Sequence, residues 1–231
     1  MKLARAFVFA AFVVGAGCTS SDAPEAPRWR DRVAVQMGEH DPQFGPADAL
    51  VDIVVFSDYR CSRCGPAIDR LLELQRAQAT DLRVTIGWAG DPDEPESLGP
   101  ALGGVAAARG GCFEAYHQAL DRVRDFTPAG VLAAASAAGC DRARFVEELA
   151  ADATRTAALA SATVASDLGV AGTPAILVNG RVVPGNPDAS VMRVIVDREL
   201  RHARRITTAH RLSAVAFHDS IQRDGRASLN R

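Results

Sequence analysis

The sequence predicts an α/β fold in which a βαβ unit and a ββα unit are separated by a long helical insertion. Val51–Ser57 and Leu82–Trp88 are short, β-branched and apolar, which is typical of buried strands. Residues 101–168 carry only helix signals. Asn179-Gly180 then lies between two further β-branched runs, and this dipeptide is the strongest short signal for a hairpin. These three observations fix the order of the elements.

The first unit consists of two strands joined by one helix. The helix is predicted over residues 62–79, because Ile68, Leu71 and Leu72 recur at a spacing that lines one helical face. Two strands connected through a helix lie parallel in one sheet, with a right-handed crossover. We therefore expect the strands on either side of this helix to be neighbours.

The helical insertion is expected over about residues 98–169, after an acidic, proline-containing loop over 91–97. Thr127-Pro128 predicts an N-cap followed by proline at the first helical position. Asp141 is a second N-cap candidate, and Gly169 can end the last helix. About four helices are expected here.

The second unit is the hairpin followed by one amphipathic helix. That helix is predicted from Asp188 to about residue 205, with Val191, Val194, Ile195 and Leu200 facing the core. Residues 206–231 are basic and weakly patterned, so they are expected to form a tail. The folded domain is accordingly predicted over residues 31–205.

The amino terminus has the features of an export signal. Lys2 and Arg5 precede an apolar run over residues 6–16, which is far shorter than the roughly 20 residues that span a bilayer as a helix. Small residues then precede Cys18, and this arrangement resembles the bacterial lipoprotein processing site. The resemblance implies a signal peptide over residues 1–17 and lipidation of Cys18, with ordinary signal peptidase cleavage as the alternative. Residues 18–30 are expected to form a flexible tether.

Composition excludes one class of function. The chain has 231 residues with a formal net charge of -2, and 48% of its residues are hydrophobic. A nucleic-acid-binding domain shows a strong basic excess, which this chain lacks. No nucleic-acid partner is expected.

The motif Cys61-Ser62-Arg63-Cys64 lies where a strand gives way to a helix. The unpaired N–H groups of a first helical turn carry partial positive charge, which stabilises a thiolate on the first cysteine. Ser62 and Arg63 are the residues expected to tune that thiolate, the latter through its guanidinium. A stabilised thiolate stabilises the reduced pair and makes its disulfide a stronger oxidant.

Cys112 and Cys140 leave two interpretations open. In an exported protein they are expected to form a structural disulfide, although two buried free thiols are the alternative. A zinc site made from all four cysteines of the domain is a weaker interpretation, because structural zinc sites usually pair two closely spaced motifs. No metal site is expected.

Three segments resemble the DsbA-like thioredoxin domains. Residues 45–59 leading into the CxxC motif are similar to the start of that family, and Gly172-Thr173-Pro174-Ala175 is similar to its cis-proline loop. Residues 113–117, which end in His117, resemble its insertion helix. The likeness covers roughly residues 33–200, and it implies a thioredoxin fold with a helical insertion.

The resemblance also assigns roles. Cys61 would be the exposed nucleophile and Cys64 the shielded resolving cysteine. Pro174 would be cis, and Thr173 would present its backbone to an extended substrate. Asp58 is the nearest carboxylate in sequence, so it is a candidate proton relay, although a polar loop cap is the favoured interpretation. His117 is interpreted as a structural histidine rather than a base.

The expected function is thiol–disulfide exchange with exported proteins, most readily as an oxidase. Expected partners are cysteine-containing exported polypeptides, a membrane redox partner (a quinone-linked oxidase or a reductase) and the membrane itself, through the lipid anchor. The protein would lie in the cell envelope and face the periplasm, and it would need no metal or organic cofactor, because the cysteines are the redox centre. Ser62 stands where relatives commonly have proline, which leaves the reaction direction open. The alternatives are a reductase or isomerase, and a non-catalytic binding lipoprotein.

Overall fold

The computed structural model of the chain describes residues 29–38 and 41–229. The predicted signal peptide, Cys18 and the tether up to residue 28 lie outside the described residues. Within the described ranges, every helix is too short or too polar to cross a membrane.

One mixed sheet forms the centre of the fold. Its strands are β1 (Gln43–Phe44), β2 (Val51–Ser57), β3 (Leu82–Trp88), β4 (Ala175–Val178) and β5 (Arg181–Val183). Their spatial order is β1-β3-β2-β4-β5, with β2 and β3 parallel and the other pairs antiparallel. The four predicted strands are confirmed at their predicted bounds. The edge strand β1 was not predicted, because two residues are too few to show an alternating pattern.

Helices cover both faces of this sheet. In chain order they are α1 (Cys64–Ala77), α2 (Pro95–Gly110), α3 (Phe113–Val123), α4 (Pro128–Ala137), α5 (Arg142–Ala150), α6 (Asp152–Leu168), α7 (Ala189–His210) and α8 (Ala214–Asp224). The larger core cluster lies between the sheet, α1, α7 and the insertion helices, and it is filled by residues such as Ile53, Leu71 and Leu120. The thioredoxin fold with a helical insertion is confirmed.

The insertion contains five helices rather than about four. α2 begins at Pro95, inside the segment predicted as a loop, because proline is compatible with the first helical position. α5 and α6 are separated only by Ala151, whose extended backbone (φ -71°, ψ 134°) ends one helix and begins the next. No glycine or proline marks that break in the sequence. The predicted caps are confirmed at Thr127, Asp141 and Gly169.

The inward face predicted for the last long helix was right at Ile195 and Leu200, which pack against the larger core cluster, and wrong at Val191 and Val194. Val191 and Val194 are 46% and 65% exposed, whereas Met192, Val196 and Ala203 are buried. Glu199 is also buried, because it pairs with Arg32 inside the protein at 2.7 Å. A charged residue on the buried face conceals the true hydrophobic stripe from a pattern search.

The predicted domain ends were also wrong. α7 continues to His210, and the predicted tail contains α8, whose Phe217 is fully buried. Trp29, placed in the predicted tether, is 2% exposed and packs edge-to-face on Phe217 with ring centroids 5.4 Å apart. Val33 and Arg226 form an isolated bridge, so the segments flanking the domain close against each other.

Candidate active site

The CxxC motif is positioned by the end of β2 and the start of α1. The Cys61 N–H donates to the Asp58 carbonyl at 2.9 Å, and the Cys64 N–H donates to the Cys61 carbonyl at 3.1 Å. These two turns carry the chain from the sheet into the helix, so that Cys64 is the first residue of α1. Cys64 is 1% exposed, whereas Cys61 is partly exposed, and both are free thiols in this structure. One sulfur therefore lies at the surface and the other beneath it.

The loop before β4 lies beside the outer sulfur. Ala175 of β4 pairs with Phe56 of β2, and this register brings the preceding residues next to the CxxC motif. The Thr173–Pro174 peptide bond is cis. The Cys61 thiol lies 3.4 Å from the Thr173 carbonyl oxygen, to which it donates. The loop that the resemblance assigns to substrate binding thus contacts the cysteine that it assigns as nucleophile.

The surroundings shift the pKa values of the two thiols in opposite directions. Partial burial is the largest influence on the pKa of Cys61 and raises it, but hydrogen bonds from the Cys64 and Thr173 side chains and from two backbone N–H groups outweigh it, so the pKa is lowered. Burial is also the first cause at Cys64, and together with the thiol's own bond to Cys61 it raises that pKa to about 12. The outer sulfur is therefore the more acidic of the two.

Of the two residues between the cysteines, Arg63 acts on the Cys61 thiol through its backbone. Arg63 caps α1, and its N–H is one of the two backbone donors that lower the pKa of Cys61. The Arg63 and Ser62 side chains are exposed to solvent. The predicted thiolate tuning at Arg63 is therefore supplied here by its peptide group.

Asp58 has the contacts of a polar loop cap. Its carboxylate accepts the Arg60 backbone N–H at 3.0 Å, the Arg60 Nε–H at 3.3 Å and the Ser97 hydroxyl at 3.2 Å. These bonds tie the loop before the motif to the first turn of α2. The two oxygens are directed at Arg60 and Ser97, which favours the cap interpretation over a proton relay.

His117 is buried on α3 and contacts α1. Its Nε2 lies 3.4 Å from the Gly65 carbonyl, and its ring stacks on Phe113 at an interplanar angle of 7°. Burial is the main cause that lowers the pKa of His117, against the opposing charge of Asp69, so the ring is neutral at pH 7. Nδ1 is buried without a hydrogen-bond partner, so this structural histidine is not fully satisfied.

Helix α3 and its C-cap residue contact the chain on both sides of the CxxC motif, which the sequence did not predict. The Arg124 side chain donates to the Arg60 carbonyl at 3.0 Å, directly before Cys61. The Asp121 carboxylate lies over Gly65, directly after Cys64, where a Cβ atom would approach it to 2.2 Å. His117 and Asp121 are four residues apart and share one face of α3, which is the signal that could have identified them; Arg124 is the C-cap residue that follows the helix.

Cys112 and Cys140 form a disulfide across 28 residues of the insertion. It joins the turn between α2 and α3 to the turn between α4 and α5. The bond removes two of the four ligands that a zinc site would have used. Among residues 29–38 and 41–229, no group of three or more histidine, cysteine or acidic side chains is gathered as a metal site.

Comparison with known proteins supports this description of the fold. A family model described as thioredoxin matches residues 38–198. A thioredoxin-like oxidoreductase from Silicibacter pomeroyi is 27% identical in sequence, with a TM-score of 0.62, and the match covers 71% of this chain and 94% of that chain. The catalytic domain of ScsC from Proteus mirabilis is 24% identical, with the same TM-score of 0.62, over 73% of this chain and 93% of that one. Oxidised BdbD from Bacillus subtilis is 20% identical, again with a TM-score of 0.62, over 74% of this chain and all of that one. The last two likenesses show the fold alone.

One curated protein shares sequence over part of its length. The Na(+)/H(+) antiporter NhaA 3 of Salinispora tropica is 34% identical over 148 residues, which is 62% of this chain and 22% of that protein. The chain thus matches about a fifth of the antiporter. The match falls far short of that protein's whole length, so the antiporter's activity is not carried over.

Proposed function

Since this chain belongs to the DsbA-like thioredoxin-fold family, whose members carry out thiol–disulfide exchange, we propose that it is an oxidase that gives its Cys61–Cys64 disulfide to exported proteins. The proposal rests on the opposite pKa shifts of the two thiols: the pKa is lowered at the partly exposed Cys61 and raised at the buried Cys64. A thiolate favoured at Cys61 stabilises the reduced pair, and a stable reduced pair makes a strongly oxidising disulfide.

The reaction starts from the oxidised pair. A substrate thiolate attacks Cys61 Sγ, the Cys61–Cys64 bond breaks, and its electron pair leaves on Cys64 Sγ. The raised pKa of Cys64 favours immediate protonation of that sulfur. The product is a mixed disulfide between the substrate and Cys61.

The second step releases the oxidised substrate. A second substrate thiolate attacks the substrate sulfur of the mixed disulfide, and Cys61 leaves as a thiolate. A thiol with a lowered pKa is the better leaving group, so the acidity of Cys61 accelerates this step. The substrate loses two electrons, and the pair gains them as one thiolate and one thiol.

The loop at Thr173 supports a polypeptide substrate. Its carbonyl oxygen lies 3.4 Å from Cys61 Sγ, so a peptide whose cysteine reaches that sulfur would run beside this backbone. An extended peptide there would add a short strand, which binds through main-chain groups with little side-chain preference. Cysteine-containing exported polypeptides are the proposed substrates.

We place the protein in the cell envelope, facing the periplasm and held by lipid on Cys18. This location rests on the export signal and the lipoprotein-like site in the first 18 residues. A structurally similar chain is a periplasmic thioredoxin-like protein from Salmonella enterica. The proposed electron acceptor is a membrane redox partner that reoxidises the pair.

The reduction potential of the pair tests the proposed direction. The chain is equilibrated with mixtures of reduced and oxidised glutathione, and its thiols are trapped and counted. A value near about -120 mV supports an oxidase, and a value near about -270 mV favours the reductase alternative. Rescue of a scrambled substrate would favour an isomerase. A pair that shows no two-electron titration would contradict the enzyme function and favour a binding protein.

A further inference from the structure

The C-terminal half of α3 brings a carboxylate to the start of α1. Asp121 lies over Gly65, so closely that a Cβ atom added to Gly65 would meet the carboxylate carbon and both of its oxygens at 2.2–2.3 Å. Gly65 follows Cys64 directly and belongs to the first turn of the helix. The carboxylate can occupy this space only because residue 65 has no side chain.

That helix start is also what stabilises the Cys61 thiolate. The Arg63 and Cys64 N–H groups are the backbone donors to the Cys61 sulfur. Asp121 therefore places a negative charge within two residues of the groups that favour a negative charge on Cys61. Two like charges near one helix terminus oppose each other.

We propose that the Asp121 carboxylate sets the oxidising strength of the cysteine pair, by opposing the negative charge of the Cys61 thiolate. The proposal rests on the proposed redox function. Asp121 is a positioning residue, because it acts through the helix terminus and takes no part in bond making. It weakens the pair as an oxidant and retains more of Cys61 as the thiol.

Other charges surround the motif and have to be weighed. The charged and titratable groups come from the loop before the motif, from the motif itself, from α1, from α3 and its C-cap, and from the residue that precedes α2: Asp58, Tyr59, Arg60, Arg63, Asp69, Arg70, His117, Arg124 and Glu94. Arg60 is paired with Asp58 and Glu94, at 3.3 and 3.8 Å. Arg124 lies 3.5 Å from Asp121 and neutralises it in part. Removing the Asp121 charge would also free Arg124, and both changes favour the thiolate.

The test is an Asp121→Asn variant of the full chain. Its reduced form is titrated by thiolate absorbance, and its oxidised form is equilibrated with glutathione, in which two glutathione thiols reduce the disulfide and form one glutathione disulfide. We expect the pKa of Cys61 to fall by about half a unit, and the equilibrium to shift about threefold towards the reduced protein. Glu114→Gln is the matched control. Glu114 is a carboxylate on the same helix, paired with Arg76, and seven residues from Asp121, or roughly 10 Å along the axis.

A second variant changes the residue that the Asp121 carboxylate contacts, rather than the carboxylate itself. In Gly65→Ala the new methyl group would overlap the carboxylate at 2.2–2.3 Å, so the Asp121 side chain has to move away from the start of α1. We expect this variant to lower the pKa of Cys61 as Asp121→Asn does, and the double variant to add no further change. A purely structural contact would not produce this pattern in both the titration and the glutathione equilibrium.

The outcomes separate this inference from the proposed function. If the wild-type pair titrates but neither variant moves the Cys61 pKa, or both raise it, the role of Asp121 is wrong and the redox function stands. If the wild-type pair shows no two-electron titration, the proposed function fails first. A shift in Glu114→Gln as large as in Asp121→Asn would also overturn the inference, since any carboxylate on α3 would then suffice.

Discussion

The two ends of β2 hold their polar groups in opposite ways. At the carboxyl end, the partly exposed Cys61 sulfur has a long contact of 3.4 Å to Thr173. At the amino end, Arg32 is fully buried and donates to Glu199 at 2.7 Å and to the Asn179 carbonyl at 2.8 Å. We call these the redox end and the base of the molecule. Seven residues of strand, or roughly 20 Å, separate them.

The base is where the ends of the folded chain are joined to the sheet. Trp29 packs on Phe217 of α8 and stacks its ring over the Arg32 guanidinium at 5.1 Å. Asn179 accepts the Asp52 N–H through its side chain and donates its own N–H to the Asp52 carbonyl, both at 2.8 Å. Tight, buried bonds of this kind specify structure, while the partly exposed Cys61 sulfur at the other end remains able to exchange partners. Stability and reactivity are thus assigned to different ends of one strand.

The sharpest test of this division is Cys61→Ser. A hydroxyl cannot form a disulfide, so we expect thiol–disulfide exchange with a reduced polypeptide to be lost entirely. The free energy of unfolding should stay within about 0.5 kcal/mol of the value for the reduced wild type, because the side chain is partly exposed. Exchange is followed by trapping mixed disulfides, and unfolding by urea titration. Exchange that persists in this variant would remove Cys61 from the proposed chemistry.

The reverse pattern is expected for Glu199→Ala at the base. Its loss leaves the Arg32 guanidinium buried without its carboxylate, and breaking a buried pair in this way costs about 3–5 kcal/mol. The reduction potential of the pair should not change. Urea unfolding and glutathione equilibrium measure the two properties separately.

The control for that variant removes both charges. In Arg32→Met with Glu199→Met, no unpaired charge remains between those two positions, and replacement of a buried pair by apolar residues is often close to neutral. We therefore expect most of the lost stability to return. A double variant as unstable as Glu199→Ala would mean that packing, or the second ion pair of Glu199 with Arg181 at 3.0 Å, holds the base together rather than the Arg32–Glu199 pair.

The disulfide of the helical insertion is expected to affect stability but not exchange activity. Replacing Cys112 and Cys140 by serine opens a loop of 28 residues, and the chain-entropy model gives a loss of about 3–4 kcal/mol. Exchange activity should persist, because this disulfide lies away from the redox pair. The measurement is urea unfolding of the double variant, compared with the wild type in the absence of reductant. A loss of exchange at a temperature where the variant is folded would contradict this separation.

The sequence predicted the redox end much better than the base. The strands β2, β3, β4 and β5 have the predicted bounds, because each is a short β-branched run with turn residues beside it. The cysteine spacing and the Thr173-Pro174 dipeptide are local signals, which can be recognised in the sequence without knowledge of the rest of the fold. The site that they predict is assembled by the pairing of β2 with β4.

The base was missed because its signals are not local. Glu199 looks like a surface residue in the helical pattern of α7, and its pairing with Arg32, across 167 residues, and with Arg181 at 3.0 Å explains why it is buried. Phe217 and Ile221 give α8 a short apolar face that finds its partner in Trp29, near the other end of the chain. The position of Asp121 at the redox end was not predicted for a related reason: its carboxylate occupies the space left free because Gly65, far away in sequence, has no side chain.

The smallest predicted effect is a pH dependence confined to the redox end. The folded pKa of Cys61 lies below its ordinary value of 9.0, so the thiolate contributes stability that is complete above pH 9 and is lost as the pH falls through the folded pKa. The pKa of Cys64 is raised to about 12, so its contribution is present below pH 9 and is lost as the pH rises towards 12. We expect the reduced protein to gain stability up to roughly pH 9 and to lose it beyond, with a gain below about 1 kcal/mol because Cys61 is screened by solvent. The oxidised protein is the control, since it has no thiols at this pair and shares every other titrating group. A difference between the unfolding free energies of the two forms that does not vary with pH would mean that the Cys61 thiolate is not stabilised by the fold, and the redox end would then be no more specialised than the base.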